Sequence, residues 1–321
     1  MKNYPNISSQ IDEKLIFKTI NKNFNIIAPY YFKLVSNWLI GAYEVYKDID
    51  KFVIIIYLIN KDLIFFRRNG LIVNYDTFYK NNTLEIEKIN ISDISRDLKI
   101  PKESVRRKVL ELEKKGVISK NGKKIFVNRS AFYSAQAQNT LRDVSSCLHE
   151  FNKLLKKENL SEKIFEINEI SDSIKKNFSF CWYQFYKFLF VFTTRWRVTV
   201  TDLETMCIGF IFVVNSSHIK SFRAKDLNLK SYRETISTAD ERGVNAMSIS
   251  DITGIPRPTV VRKLKFLIDN DFLTINEKKL ITLNLKNKAL KITEKIQNAN
   301  IRSFSDFTFR VFNQIKIIKA S

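Results

Sequence analysis

Glycine and histidine are scarce in this chain: seven Gly and two His in 321 residues. So few glycines leave little for a phosphate-cradling loop, and neither a GxGxxG nor a P-loop pattern is present. HExxH and GxSxG are missing as well, so the expectation is that the protein is not an enzyme. Cysteine is sparse too. Cys147, Cys181 and Cys207 stand apart without a CxxC spacing, and only His149 and His218 accompany them. A Cys/His zinc site does not fit that pattern, and no cofactor is expected. Cys147 and His149, two apart on a helix, do not face each other. An odd, dispersed set of thiols suits a reducing compartment, so a cytoplasmic location is expected. Long hydrophobic runs are lacking. The longest, "FVIIIYLI" from Phe52 and "CIGFIFVV" from Cys207, are far shorter than the roughly 20 residues that span a bilayer. The opening "MKNYPNISSQIDEKL" has no apolar signal region, and no membrane partner is expected.

Basic residues dominate what is present. Fifty-four Lys and Arg face 33 Asp and Glu, a formal charge of +21. Such an excess favours nucleic acid or an anionic membrane surface as partner. Lys is abundant along the whole chain together with Ile and Asn, so part of the excess is compositional and charge alone decides little. With 45% hydrophobic residues, material for a core is ample, and the length suits two domains of ordinary size.

A repeat organises the chain. "IPKESVRRK" from Ile100 and "IPRPTVVRK" from Ile255 share one pattern, and sliding the sequence by 155 residues pairs Ile94–Asn128 with Ile249–Leu283, with eleven identities in thirty-five ungapped positions. With a one-residue shift the pairing extends upstream, where "DIDKFVIII" from Asp48 meets "DLETMCIGF" from Asp202. Each is an acidic helix start before an apolar helix, and Thr201 with Glu204 forms a capping-box pattern. Dividing the chain in the polar "KKENLSEK" stretch gives domains 1–158 and 159–321. Each copy begins with a long aromatic-rich helix (about 28–47 and 180–200) and a buried helix (about 49–64 and 203–215). A polar insert of unassigned role follows (about 61–90 and 216–245), then two short helices and a hairpin, then a closing helix (about 130–157 and 287–317).

The first copy makes the local logic plain. "ISDISRDL" is a short helix, "KIP" a tight turn, and "KESVRRKVLELEKKG" a second helix with Gly116 as its C′ residue. Val105, Val109 and Leu112 recur at i, i+4 and i+7, so one stripe is buried. Lys102, Ser104, Arg106 and Arg107 fall off that stripe, and Pro101 suits the helix start because it has no N–H to leave unpaired. "VISK-NG-KKIFVN" reads as two strands around Asn-Gly. Two helices joined by a tight turn, then a basic-tipped hairpin, make a winged helix-turn-helix. The fold class expected is mainly α with small β-hairpin wings. It would hold two tandem winged-helix domains related by internal duplication, with motif and wing at about 90–128 and 246–284, flanked by long packing helices.

"ISRDLKIPKESVRRKVLELEKKGVI" and "ISDITGIPRPTVVRKLKFLIDNDFL" resemble the helix-turn-helix cores of MarR-like and IclR-like bacterial regulators. The second fits that pattern with Gly254 in the turn; the first has Lys99 there, which strains a turn needing positive φ. The resemblance covers about forty residues per copy. It implies that the second helix of each pair enters the major groove of double-stranded DNA. Lys102, Glu103, Ser104 and Arg106, and Arg257, Thr259 and Val261, would then face bases. Arg can engage guanine and Glu103 cytosine N4, an option Pro258 lacks. Arg107, Lys108, Arg262 and Lys263, and the wing-tip Lys123, Lys124, Lys278 and Lys279, would hold phosphates.

Fused copies would form a pseudo-dimer within one chain, with recognition helices near 34 Å apart on two unequal half-sites. A homodimer of the whole chain stays open. The expected function is transcription regulation, the protein being nucleoid-associated when bound. A plasmid- or phage-type replication initiator and a winged-helix protein–protein scaffold are the alternatives. The aromatic helices ("APYYFKLVSNWL", "FCWYQFYKFLFVF") suit a core and contact surface between the halves, since aromatics bury much area. A pocket for a small-molecule effector is the other reading of them.

Overall fold

Helix starts follow the side chains able to cap them. Asp12, Asp48, Asn90 and Asn245 each accept hydrogen bonds from amides of the first turn they precede, satisfying donors that a helix cannot pair internally. The computed structural model describes residues 10–80, 83–86, 90–122, 124–128, 138–217, 226–236, 243–284 and 287–320. The described chain is mainly helical with two small antiparallel sheets. In order it runs α1 (Glu13–Lys22), α2 (Phe24–Tyr46), α3 (Ile49–Arg68), α4 (Tyr75–Lys80), β1 (Thr83–Ile86), α5 (Ile91–Leu98), α6 (Lys102–Lys114), β2 (Ile118–Asn121), β3 (Lys124–Asn128) and α7 (Gln138–Lys157). Then come α8 (Ile167–Lys176), α9 (Phe178–Val200), α10 (Leu203–Ser217), α11 (Leu229–Ile236), α12 (Ala246–Thr253), α13 (Arg257–Asp269), β4 (Leu273–Ile275), β5 (Ile281–Leu283) and α14 (Asn287–Ala320).

The two runs keep one order of helices. α2 and α9 are each 23 residues long, and α6 and α13 each 13. Each long helix follows a short one, α1 or α8, that the sequence reading missed. The inserts hold short helices as well, α4 and α11. Their apolar residues sit among polar ones, which hid the period; Phe78, Leu229, Tyr232 and Ile236 are buried.

The sheets differ in size. Strand order is β1-β3-β2 in the first, with Ile118 opposite Val127 and Ile86 opposite Ile125. In the second, β4 pairs β5 and Val244 adds one bridge to Ile281. Leu283, rather than Thr282, stands opposite Leu273, so the 155-residue offset slips by one inside this hairpin. In the first hairpin Asn121 still pairs, with Lys124, and Gly122 at φ 58° opens the turn.

The long helices pack across the two runs. α2 lies on α7 and α10, while α9 lies on α14 and α3; α1 meets α14, and α8 meets α7. Tyr31, Phe188, Phe192 and Phe304 interlock in the centre, Tyr31 and Phe304 edge-on at 5.0 Å. Rings meeting by edge and face suit their quadrupoles and bury large areas. The expected boundary near residue 158 thus falls just past α7, but the cores on its two sides are continuous. Among the described residues no single helix is long and apolar enough to cross a membrane.

One expected cap is corrected. Asp202, not Thr201, accepts the Thr205 amide at 2.7 Å. Glu204 reaches outside its own helix; its Oε1 accepts the Ile49 amide of α3 at 3.1 Å.

Candidate nucleic-acid interface

Two helix pairs, α5–α6 and α12–α13, are built alike. Ile94 and Ile249 on the first helices, and Val105 and Val260 on the second, are fully buried. The turn between the helices is pinned by one repeated bond: Ser95 Oγ donates to the Ile100 carbonyl and Ser250 Oγ to the Ile255 carbonyl, each at 2.7 Å. Gly254 takes φ 67° and Lys99 takes φ 55°. Both turns are therefore left-handed, and Lys99 accepts a backbone conformation disfavoured for a residue with a Cβ. Pro101 and Pro256 precede α6 and α13, and no side chain caps these two helices. Their first-turn amides carry the positive end of the helix dipole toward the surface.

Most residues assigned to the outer face lie there. Lys102, Glu103, Arg106 and Arg107 are exposed on α6, as are Arg257, Val261 and Arg262 on α13; Ser104 and Thr259 are half-buried. Glu103 lies 4.0 Å from Arg106, and Glu111 3.9 Å from Arg107. These contacts, among exposed groups, are worth little. Lys99 and Lys265 are exposed on the same two units; the sequence marked Lys99 only as a turn residue and Lys265 not at all. Lys265 is visible in the helical period, four residues beyond Val261.

Lys108 and Lys263 are corrections. Both point inward. Lys108 is bound to Asp48 and lies 3.6 Å from Asp50. Lys263 donates to Asp202 at 2.6 Å and to Thr205 Oγ1 at 3.3 Å. Their side chains keep 12% and 11% of their exposure, so neither ammonium reaches a phosphate. A lysine near the apolar stripe of a helix can run its stem along that stripe and bring its charge to a carboxylate on the next helix. Here those carboxylates are the helix-start acids Asp48 and Asp202. The sequence reading noticed them without their partners, because no pattern links residues 60 positions apart.

The tethers meet at one junction. Asp50 is bound to Arg197 from α9, and the Ile49 amide bonds Glu204. The chain of contacts therefore runs from α6 through Asp48 and Asp50 to the start of α10, where Asp202 holds α13. Burial works against the Asp202 carboxylate, but hydrogen bonds from Lys263 and the Thr205 amide outweigh it and hold its pKa low. Among the described residues no cation pairs with Glu204. Burial, then the carboxylates of Asp50 and Asp202, pushes it above the ordinary range.

The hairpins offer different tips. Lys124 is exposed but bound to Glu85 of β1 at 2.9 Å; Lys123 lies outside the described residues. In the second hairpin Asn276 Oδ1 accepts the amides of Lys278 and Leu280, shaping a loop on which Lys278 and Lys279 are exposed. Beneath that hairpin is an apolar cavity of about 70 Å³. Leu267 of α13, Phe272, Leu273, Trp196 and Gly209 line it, with Thr293 and Asn300 from α14.

Neither a family model, nor a curated protein, nor a solved structure matches this chain.

Proposed function

We propose that the chain binds double-stranded DNA in a sequence-specific manner and acts as a transcription regulator. In this reading it carries two tandem winged-helix units related by internal duplication, and they serve as a single-chain pseudo-dimer on two unequal half-sites. One observation carries the reading. The outward turns of α6 and α13 bear exposed cations at matching positions, while Lys108 and Lys263 anchor both helices to a shared junction. A scaffold needs the anchors but has no use for the outward charge. In the first unit, β1 ahead of the helix pair and the β2–β3 hairpin behind it, in the order β1-β3-β2, also support winged-helix geometry.

The roles divide by position. Arg257 and Val261, and Lys102, Glu103 and Arg106, face bases; Thr259 and Ser104 sit at the edge of that surface. Arg107, Arg262, Lys278 and Lys279 hold phosphates, which set register without reading sequence. Lys124 joins them once Glu85 releases it. The protein is cytoplasmic, associated with the nucleoid when bound, and not an enzyme. A small effector entering beside Gly209 would have to widen the cavity of about 70 Å³ there and so press on α13 and its hairpin.

Selection of bound fragments from random duplex DNA tests this. The expected product is a motif of two dissimilar halves about one helical turn apart, bound with an affinity that falls steeply with salt. Iterated direct repeats would favour replication initiation instead. An absence of salt-dependent binding would leave the scaffold reading.

A further inference from the structure

The outer faces of the two helix pairs differ at matched positions: exposed Leu110 of the first corresponds to Lys265 of the second, and four positions change in the opposite sense. Ser92, Asp97, Glu103 and Arg106 in the first correspond, at the 155-residue offset, to Met247, Ile252, Pro258 and Val261 in the second. All eight are exposed, so packing does not explain the change. Met247, Ile252 and Val261 keep 49%, 50% and 51% of their exposure. Single apolar residues on a surface are ordinary. Four polar-to-apolar changes at matched surface positions, against one in the reverse sense at Leu110, indicate a different contact.

Val261 is the informative one. It stands one turn beyond Arg257, on the same side of α13, and its neighbours Arg262 and Lys265 are exposed cations. An apolar spot ringed by basic groups matches a major groove, where phosphates flank the only apolar group on a base edge, the C5-methyl of thymine. We infer that Val261 reads thymine, packing its methyls on that C5-methyl. The second half-site then carries a thymine opposite Val261, while the first, read by Lys102 and Arg106, carries guanine. Arg106 occupies the corresponding position of α6 and ends in a guanidinium, whose forked donors match guanine O6 and N7 rather than a methyl.

This rests on the DNA-binding reading, and the test separates the two. Once a site has been selected, each dT of the second half-site is replaced singly by deoxyuridine, which removes the methyl and leaves every hydrogen-bonding group in place. One replacement should weaken binding about fourfold, the worth of one buried methyl. The Val261→Ala variant should bind the dT and deoxyuridine duplexes alike, and Val261→Arg should move the preference at that position to guanine. Replacements in the first half-site should leave binding unchanged. If the chain binds no DNA, the functional reading itself is lost. If DNA is bound but every replacement in the second half-site is neutral, or that half-site holds no thymine, thymine reading is overturned and the apolar face falls to a protein partner.

Discussion

In the first helix pair Asp48 holds Lys108 and Ser95 pins the turn; in the second Asp202 holds Lys263 and Ser250 pins the turn. Behind α6 and α13 the two regions keep their chemistry. In front of them they diverge, from Glu103 and Arg106 to Pro258 and Val261. The inner contacts are constrained on both sides, because a buried charge must meet its partner. An exposed residue answers only to its ligand. Identity at buried positions of the two runs is thus a guide to scaffold, whereas on the surface the runs share Arg107 with Arg262 and differ at Arg106 and Val261.

The strongest way to break this comparison is to cut the shared junction. Asp50→Ala should destabilise the protein by about 3 kcal/mol, because it leaves the buried Arg197 uncompensated; urea unfolding measures it. A loss under about 0.5 kcal/mol would mean that the junction is solvated and does not hold α6 and α13 together. Next come the two classes of lysine. Lys263→Met should cost about 2 kcal/mol of stability, since Asp202 loses its cation, and should leave the salt dependence of DNA binding unchanged. Lys278→Ala should do the reverse, leaving stability alone and lowering the salt slope by about one unit. Equal slopes for the two variants would erase the distinction between inner and outer charge.

Two smaller effects sharpen it. Lys99 and Asp271 hold left-handed backbone where the other copy has Gly254 and Gly116. Lys99→Gly should stabilise by roughly 0.5–1 kcal/mol by relieving that strain. Asp271→Gly should gain less, since Asp tolerates the conformation better. A gain in thermal midpoint for Asp271→Gly exceeding that for Lys99→Gly would contradict the ordering. The smallest effect is pH-dependent. Glu204 is pushed up in the folded state, so its favourable contribution is full in acid. It is lost as pH rises from the ordinary carboxylate range through the raised value. Glu204→Gln keeps an acceptor for the Ile49 amide. The variant should therefore exceed the parent in stability at neutral pH and match it in acid. Asp202, held low by Lys263, has the opposite sign: its contribution is present above the ordinary range and is lost as pH falls through its lowered value. A pH-independent difference for Glu204→Gln would show that Glu204 is solvated.

Much of the candidate site was legible. Val105, Val109 and Leu112 marked the buried stripe, and Lys102, Arg106 and Arg107 were placed outside by the same period. Gly116 was readable as a helix end. Lys108 was not readable as an anchor, because it borders the stripe and its stem can turn either way. Thr201 looked like a cap because the capping box is a local pattern. The bond that Glu204 makes instead is to a helix 155 positions away in sequence.

Periodicity, turn chemistry and self-similarity are local properties, so the linear chain by itself determined two equivalent helix pairs with hairpins and most of their outward residues. Which charged groups turned inward was decided only by folding, when α3 met α9 and α10 at one junction. A carboxylate and an ammonium distant in sequence become partners only when packing removes the water that each would otherwise keep.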